Sequence, residues 1–490
     1  LAAISLALVD KIGSLGKGGL PAIMGSKNLK AIAVTGTKKV PIADPKRFVK
    51  ICGEIVKKYT DDPTRLPYVK LGKMWFGKEY SLHAANPYKN FTENFSGDKY
   101  QELYGTEVYL NTIKGKRLGC TTCMYPCKDL MTVQKGEYEG LTTYLSSMTG
   151  RLRNLGIQCS AGCSFGELVK LVDLTNRYGI DTQSFAPTMM LAVELYERGI
   201  ITKKDTEGLA LKADFETTVA LLKKVAFRQG IGEVLADGST GIVKRFGKEF
   251  EKYSFHIKGL PQQIDARLFN FNMMSFCQLT NPEGGSIEPA HVGLNWYPRK
   301  KGFSLNTVRE FAQRMDLPKE AIDKVFDTPS GSGFNISGLM KVAEDFYMVL
   351  NSLGVCEYRT EFWDWNIFAE VYSSATGIEM TGNDMKKAGE RTWNLFKAIN
   401  VREGSSDRKD DSWPQRWLEP LPTANGEEII PMTCGGEVAT AEVLNRLLDE
   451  YYDDRGWDIK KGIPTRENLV ELSLADIAAD LQNLRIWDRD

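Results

Sequence analysis

Cys120, Cys123 and Cys127 stand close together in Gly119-Cys120-Thr121-Thr122-Cys123-Met124-Tyr125-Pro126-Cys127-Lys128, a C-x2-C-x3-C spacing. Nothing else in the chain constrains its folding as strongly. Three thiolates so near one another suit an iron–sulfur cluster whose fourth ligand comes from a distant part of the chain. A structural zinc site or a chance cluster in a core would also place cysteines together. Zinc sites usually join C-x2-C to a second close pair of Cys or His. The three histidines, His83, His256 and His291, do not provide one, although Cys159 and Cys163 offer a C-x3-C pair. An iron–sulfur cluster moves electrons, so the first expectation is an oxidoreductase.

The chain has 490 residues, enough for two or three domains. Lys and Arg total 63 and Asp and Glu total 63, so no net field favours nucleic acid or an anionic membrane as partner. No apolar run reaches the ~18 residues that a membrane span needs. Nine cysteines are few for a disulfide scaffold, and their clustering suits metal binding in a reducing cytoplasm. The sequence starts at Leu1, with neither an initiator Met nor a signal peptide, which suggests that it begins inside something longer.

Helical signals dominate. Asp44-Pro45 predicts a helix start running to Lys58, and Ser164-Phe165-Gly166-Glu167 reads as a capping box for a helix ending at Tyr178-Gly179. Further helices are expected over 187–198, 215–228, 304–314, 338–353, 366–374, 383–399, 439–452 and 474–485. Ala31-Ile32-Ala33-Val34 predicts a short buried strand, and 60–118 reads as loops and short helices.

Two pentads, each followed by one more residue, share one pattern. Asn176-Arg177-Tyr178-Gly179-Ile180-Asp181 and Asn351-Ser352-Leu353-Gly354-Val355-Cys356 each close a predicted helix with N-x-x-G, an aliphatic residue, then Asp or Cys. Glycine there lets the chain turn sharply and present backbone and a polar side chain to a ligand. A single copy would be an ordinary helix end; two suggest two similar halves of one large ligand. Gly16-Lys17-Gly18-Gly19, followed by Gly25-Ser26-Lys27, is either a nest of N–H groups for phosphate or a surface turn. Glu137-Tyr138-Glu139 brings carboxylates near the cysteines in sequence. Such a group is either a general base or a solvated surface acid.

Together these pieces resemble the aldehyde ferredoxin oxidoreductase family of tungsten enzymes. The resemblance runs from Gly18-Gly19-Leu20-Pro21-Ala22-Ile23-Met24-Gly25-Ser26-Lys27-Asn28 through the cysteine trio, Glu137–Glu139 and both pentads. It continues to Asn400–Gly404, Tyr451–Asp458 and Gly462–Thr465. It implies a mostly α (α+β) fold corresponding to the family's helical domains 2 and 3, with most of the N-terminal β-rich domain missing. The expected segments are 1–42, the end of that pterin-binding β domain; 43–255, a helical domain with the cysteine trio and first pentad; and 256–490, a helical domain with the second pentad.

The resemblance further implies a [4Fe-4S] cluster on Cys120, Cys123, Cys127 and Cys356, beside a tungsten or molybdenum bis-pterin. One pterin would lie on Asn176, Gly179, Ile180 and Asp181, the other on Asn351, Gly354 and Val355. Gly18, Gly19 and Leu20 would lie against a pterin phosphate, with Mg2+ bridging the phosphates. Where the family usually has Asp, this chain has Asn176 and Asn351. Glu139 matches the active-site Glu, and His291 stands in for a His that is not cleanly matched. The implied reaction is oxidation of an aldehyde to a carboxylic acid, with ferredoxin or an iron–sulfur subunit as acceptor and an oligomeric assembly. The catalytic subunit of class II benzoyl-CoA reductases is similar too. Its tungsten-binding cysteine corresponds to Met148 and its proton-donating His to Phe91, both of which argue against ring reduction. A non-catalytic electron-transfer or scaffold subunit is a third reading, opposed by retention of both pentads and Glu139.

Overall fold

The computed structural model describes residues 2–63, 65–76, 86–121, 123–146, 148–262, 265–268, 271–291, 309, 312–315, 336–357, 360, 362–422, 426–433 and 437–488. The chain divides into two compact units that are interleaved in sequence. The first comprises Leu1–Thr35, Asp62–Pro261 and Pro414–Ile429; the second comprises Gly36–Asp61, Gln262–Trp413 and Ile430–Asp490. Helix is the main element of both, and strands are short. No described helix is long and apolar enough to cross a membrane.

In the first unit, hairpins β1 (Ala7–Val9) with β2 (Gly13–Leu15) and β3 (Pro87–Tyr88) with β4 (Glu93–Asn94) precede an antiparallel sheet of β5 (Ile113–Leu118), β6 (Lys128–Val133) and β7 (Thr142–Leu145). The loop 119–127 joins β5 to β6, so the cysteines occupy a hairpin loop. Sequence reading missed these strands because β5, Ile-Lys-Gly-Lys-Arg-Leu, carries charges where a buried strand carries apolar side chains; only its ends are shielded.

Helix Phe165–Tyr178 starts as expected. Ser164 Oγ accepts from Glu167 N at 3.2 Å, and Glu167 Oε2 accepts from Ser164 N at 2.7 Å. Gly179 ends it in the left-handed conformation, φ 65°. The next helix is Thr182–Glu197, five residues longer at its start than the expected 187–198. Asp181 caps it, and Pro187, read as a start signal, lies inside. Nearly all of its 16 residues are buried, so packing on every side outweighs the one backbone bond that Pro187 cannot donate.

The second unit packs helix Ile336–Leu353 against Gly382–Arg402 and Ala441–Asp454. Gly389 permits the first contact: a Cβ there would stand 2.2 Å from the Asp345 carbonyl oxygen. Arg455, fully buried, bonds Asp345 at 2.6 Å and Glu344, while Tyr451 donates to Glu344 at 2.6 Å. Tyr452 donates to Asp411 at 2.6 Å. The Tyr451–Trp457 motif is thus the polar and aromatic centre of this core. Ala31–Val34 corrects the reading of a buried strand. It pairs with no described strand and is open to solvent, Val34 being 91% exposed. The expected helix 304–314 lies largely outside the described residues.

Candidate functional site

The cysteine loop is anchored from both ends. Leu118 faces Lys128 in the ladder, and the neighbouring pair Arg117 and Asp129 forms a salt bridge with Asp129 fully buried. Within the loop, Tyr125 is buried, donates to Asp62 and packs edge-on to Tyr68 at 5.7 Å. Pinned this way, the loop leaves Cys120 and Cys123 exposed and Cys127 half-buried, all as free thiols. Cys123 N donates to Cys120 O at 3.0 Å, and Cys123 Sγ donates to Tyr125 O at 3.4 Å. Burial pushes the Cys123 thiol up, as does the charge of Cys127 and Cys120 beside it. Crowded thiols of this kind are relieved when a metal takes their protons' place. Among the described residues no three His, Cys, Asp or Glu groups stand as a ready-made metal site.

Cys356 belongs to the second unit. It follows helix Ile336–Leu353, is exposed, and approaches Glu357 Oε2 at 3.8 Å. The turn before it is closed by Gly354 N to Asn351 O, 3.2 Å, and Val355 N to Leu350 O, 2.9 Å, with Gly354 at φ 67°. Asn351 and Gly354 are exposed and Val355 half-buried.

The first pentad and the Gly-rich start come together in the first unit. Leu6 N donates to Gly179 O at 2.7 Å and Asp181 N to Ile4 O at 2.9 Å, around the bridge Ser5–Ile180. Ser5 Oγ reaches Gly19 O at 3.4 Å. A Cβ on Gly16 would lie 3.3 Å from Asp181 Oδ1. Lys17, Gly18 and Gly19 are all at positive φ, 64°, 76° and 71°, a run that turns successive N–H groups to one side. Beside Gly18 a Cβ would meet nothing within 4 Å, whereas on Gly19 it would strike the Ala3 carbonyl oxygen. Leu20, at the start of the next short helix, is 54% exposed.

Asn176 Nδ2 donates to Tyr144 O at 2.8 Å and to Thr143 Oγ1 at 3.4 Å. Its Oδ1 has no partner among the described residues. Asp181 Oδ2 is spent on Ser184 N and Oγ, at 2.9 and 2.7 Å. These residues fit a pterin. They offer an acceptor oxygen on Asn176, backbone donors at Gly18 and Gly19, and open space at Gly18.

Glu139 is exposed in the turn between β6 and β7, its N–H bonded to Gly136 O at 3.0 Å. The cysteine loop leaves the other end of β6, a six-residue strand spanning about 17–20 Å. The sheet therefore keeps Glu139 and the cysteines apart. His291 ends the short helix Glu288–His291; its side chain lies outside the described residues. Phe91 is buried and stacked on Phe255 at 4.1 Å, and Met148 is buried, so both are packing residues here. Cys159, Cys163 and Cys277 are buried, and burial pushes each thiol up. Arg151 escaped sequence reading altogether. Its buried guanidinium donates to Thr182 Oγ1, next to Asp181, and no periodicity marks it.

Residues 50–474 match the family described as aldehyde ferredoxin oxidoreductase, domains 2 and 3. The chain belongs to the aldehyde ferredoxin oxidoreductase family. It is therefore an oxidoreductase by family. It is 29% identical over 473 residues to the tungsten-containing aldehyde ferredoxin oxidoreductase of Pyrococcus furiosus, covering 94% of this chain and 69% of that protein. An aliphatic sulfonate oxidoreductase, WOR-like subunit, from the same organism is 24% identical over 494 residues, covering 96% and 68%. The fold also matches the active site complex BamBC of benzoyl coenzyme A reductase in complex with 1,5 dienoyl-CoA. There the TM-score is 0.77 at 22% identity, covering 99% of this chain and 73% of that one.

Proposed function

We propose that this chain carries the cofactor-binding core of a tungsten–pterin oxidoreductase that oxidises an aldehyde to a carboxylic acid. Electrons would leave through a [4Fe-4S] cluster on Cys120, Cys123, Cys127 and Cys356 to ferredoxin or a partner iron–sulfur subunit. The observation that carries the reading is the cradle made where Ile4–Leu6, Gly16–Gly19 and Gly179–Asp181 meet. When bound, the metal–pterin group supplies a two-electron acceptor, and the cluster relays electrons singly. Asn176, Gly179, Ile180 and Asp181 would hold one pterin, Asn176 Oδ1 accepting a hydrogen bond from it, and Gly18, Gly19 and Leu20 would lie against a pterin phosphate with Mg2+ alongside. Asn351, Gly354 and Val355 would serve the second pterin. Glu139 would take the proton released as water adds to the aldehyde, with His291 as a second candidate. The role of Glu139 rests on the family motif, that of His291 only on its lying in the segment where the family's His falls.

Iron, sulfide, tungsten, molybdenum and pterin analysis of the purified protein tests the reading. Iron with tungsten or molybdenum and pterin supports it. Iron alone would favour a scaffold subunit. Turnover of an aromatic acyl-CoA with none of an aldehyde would favour the benzoyl-CoA reductase branch, whose solved member has this fold. Cys356→Ala should lose or degrade the cluster; a full complement of iron and sulfide in that variant would show that the fourth ligand lies elsewhere.

A further inference from the structure

Arg151 stands where helix Met148–Arg151 passes into the π-helical turn Leu152–Cys159. Irregular turns of that kind concentrate at functional sites. The residue is only 7% exposed. A guanidinium has five N–H donors and no acceptor, and Arg151 spends one side, Nη1, on the neutral hydroxyl of Thr182. The Asp181 carboxylate acts on it through space. No carboxylate among the described residues forms an ion pair with Arg151, and Asp181 Oδ2 is already committed to Ser184. Burial disfavours the Arg151 charge. Its remaining N–H groups are not sealed from solvent, so they are open to a ligand.

The surroundings point the same way. Asp181 touches both the Gly16 end of the glycine turn and, through Thr182, Arg151. The Gly16 end of the glycine turn and the guanidinium therefore lie in one neighbourhood. Planar, fork-like donors of this sort suit carboxylate, sulfonate or phosphate oxygens taken in pairs.

We propose that Arg151 is an oxyanion-binding residue of this site, its unspent N–H groups taking one carboxylate, sulfonate or phosphate. The inference rests on the pterin reading for the ligand's identity, not for its existence. The oxyanion comes either from the cofactor's phosphate or from the anionic head of a substrate.

Arg151→Met and Arg151→Lys, compared with wild type, separate these sources. If the cofactor supplies the anion, Arg151→Met is purified with pterin and tungsten reduced at least ~10-fold, the loss expected for a charge-assisted contact. Arg151→Lys, which keeps the charge without the fork, retains an intermediate amount. If the substrate supplies it, pterin content holds. The KM ratio for a carboxylate- or sulfonate-bearing aldehyde over a neutral one of equal length then rises by ~10-fold or more in Arg151→Met. Methanesulfonate, at ionic strength matched with sodium chloride, then raises the melting temperature of wild type more than that of either variant. Full pterin content, an unmoved KM ratio and equal methanesulfonate shifts in all three proteins overturn the proposal. Should Arg151→Met fail to fold, the same readings on Arg151→Lys decide it. Wild type free of pterin and tungsten, yet stabilised by methanesulfonate through Arg151, would sink the pterin reading and leave this one standing.

Discussion

At the scale of single residues, the Asn176 amide shows why a small departure from a family pattern is not neutral. Its Nδ2 donates to the Tyr144 carbonyl, a bond that an Asp carboxylate cannot make. Restoring the family's usual residue by Asn176→Asp sets two acceptors face to face. It should cost about 1–3 kcal/mol at neutral pH. Sharing the Tyr144 oxygen favours the protonated acid, so the folded-state pKa of that Asp rises. The cost then shrinks as the pH falls through the folded pKa. Urea midpoints at pH 7 and pH 4 check this; a penalty independent of pH would mean that the repulsion is not its source. Glu139 is the opposite case. It was legible as a motif, yet the structure gives it neither burial nor a hydrogen-bonded side chain that would mark a base. Glu139→Gln should keep metal content while turnover falls by at least ~100-fold. Turnover near wild type would remove it from the mechanism. Arg151 reverses the lesson: a lone Arg in a sequence carries no signal, because its meaning lies in burial, which depends on contacts with residues far along the chain.

At the scale of elements, the Gly-rich turn separates folding from binding. Gly19→Ala meets the Ala3 carbonyl oxygen as well as a strained φ of 71°. It should lower stability by more than about 2 kcal/mol. Gly18→Ala has the strain alone, with open space around the new methyl, and should cost about 1 kcal/mol. If a pterin phosphate lies in that space, Gly18→Ala also loses bound pterin out of proportion to its melting temperature. Parallel pterin assays and thermal melts test the pair. Helix termini were readable where a local rule decides them: Ser164 and Glu167 form the capping box that their spacing announces. They were misread where chemistry is shared. Asp181, taken as a ligand, is also the cap of the following helix, which hid the true start behind Pro187. Strand β5 was invisible because cross-strand partners, rather than its own alternation, hold it.

At the scale of the molecule, the segment Pro414–Ile429 belongs to the first unit although its neighbours in sequence belong to the second. Among the contacts that hold it is a buried ion pair. Arg416 grips Glu194 at 2.5 Å and 2.9 Å and the Asn90 carbonyl at 2.7 Å. Without Arg416, Glu194 keeps Asn90 and the more exposed Arg198 as partners, so Arg416→Met should cost about 1.5–3 kcal/mol and raise hydrogen exchange across 414–429 first. Burial pushes the Glu194 carboxyl up, but hydrogen bonds from Arg416, Asn90 and Arg198 outweigh it and hold it below the usual carboxylate range. A depressed folded pKa gives stability that is present above pH ~4.3 and lost as the pH falls through the folded value. Glu194→Gln should therefore be less stable at pH 7 and lose less on acidification to pH 3. Equal acid sensitivity in both proteins would show that the carboxylate is not the titrating group.

Because the units borrow segments from one another's stretches of sequence, no single cut of the gene would yield either one whole. A ribosome must deliver residue 429 before the first unit owns all its parts. Assembly of the first unit is thus set to be a late event, one that waits until synthesis has passed the segment Pro414–Ile429.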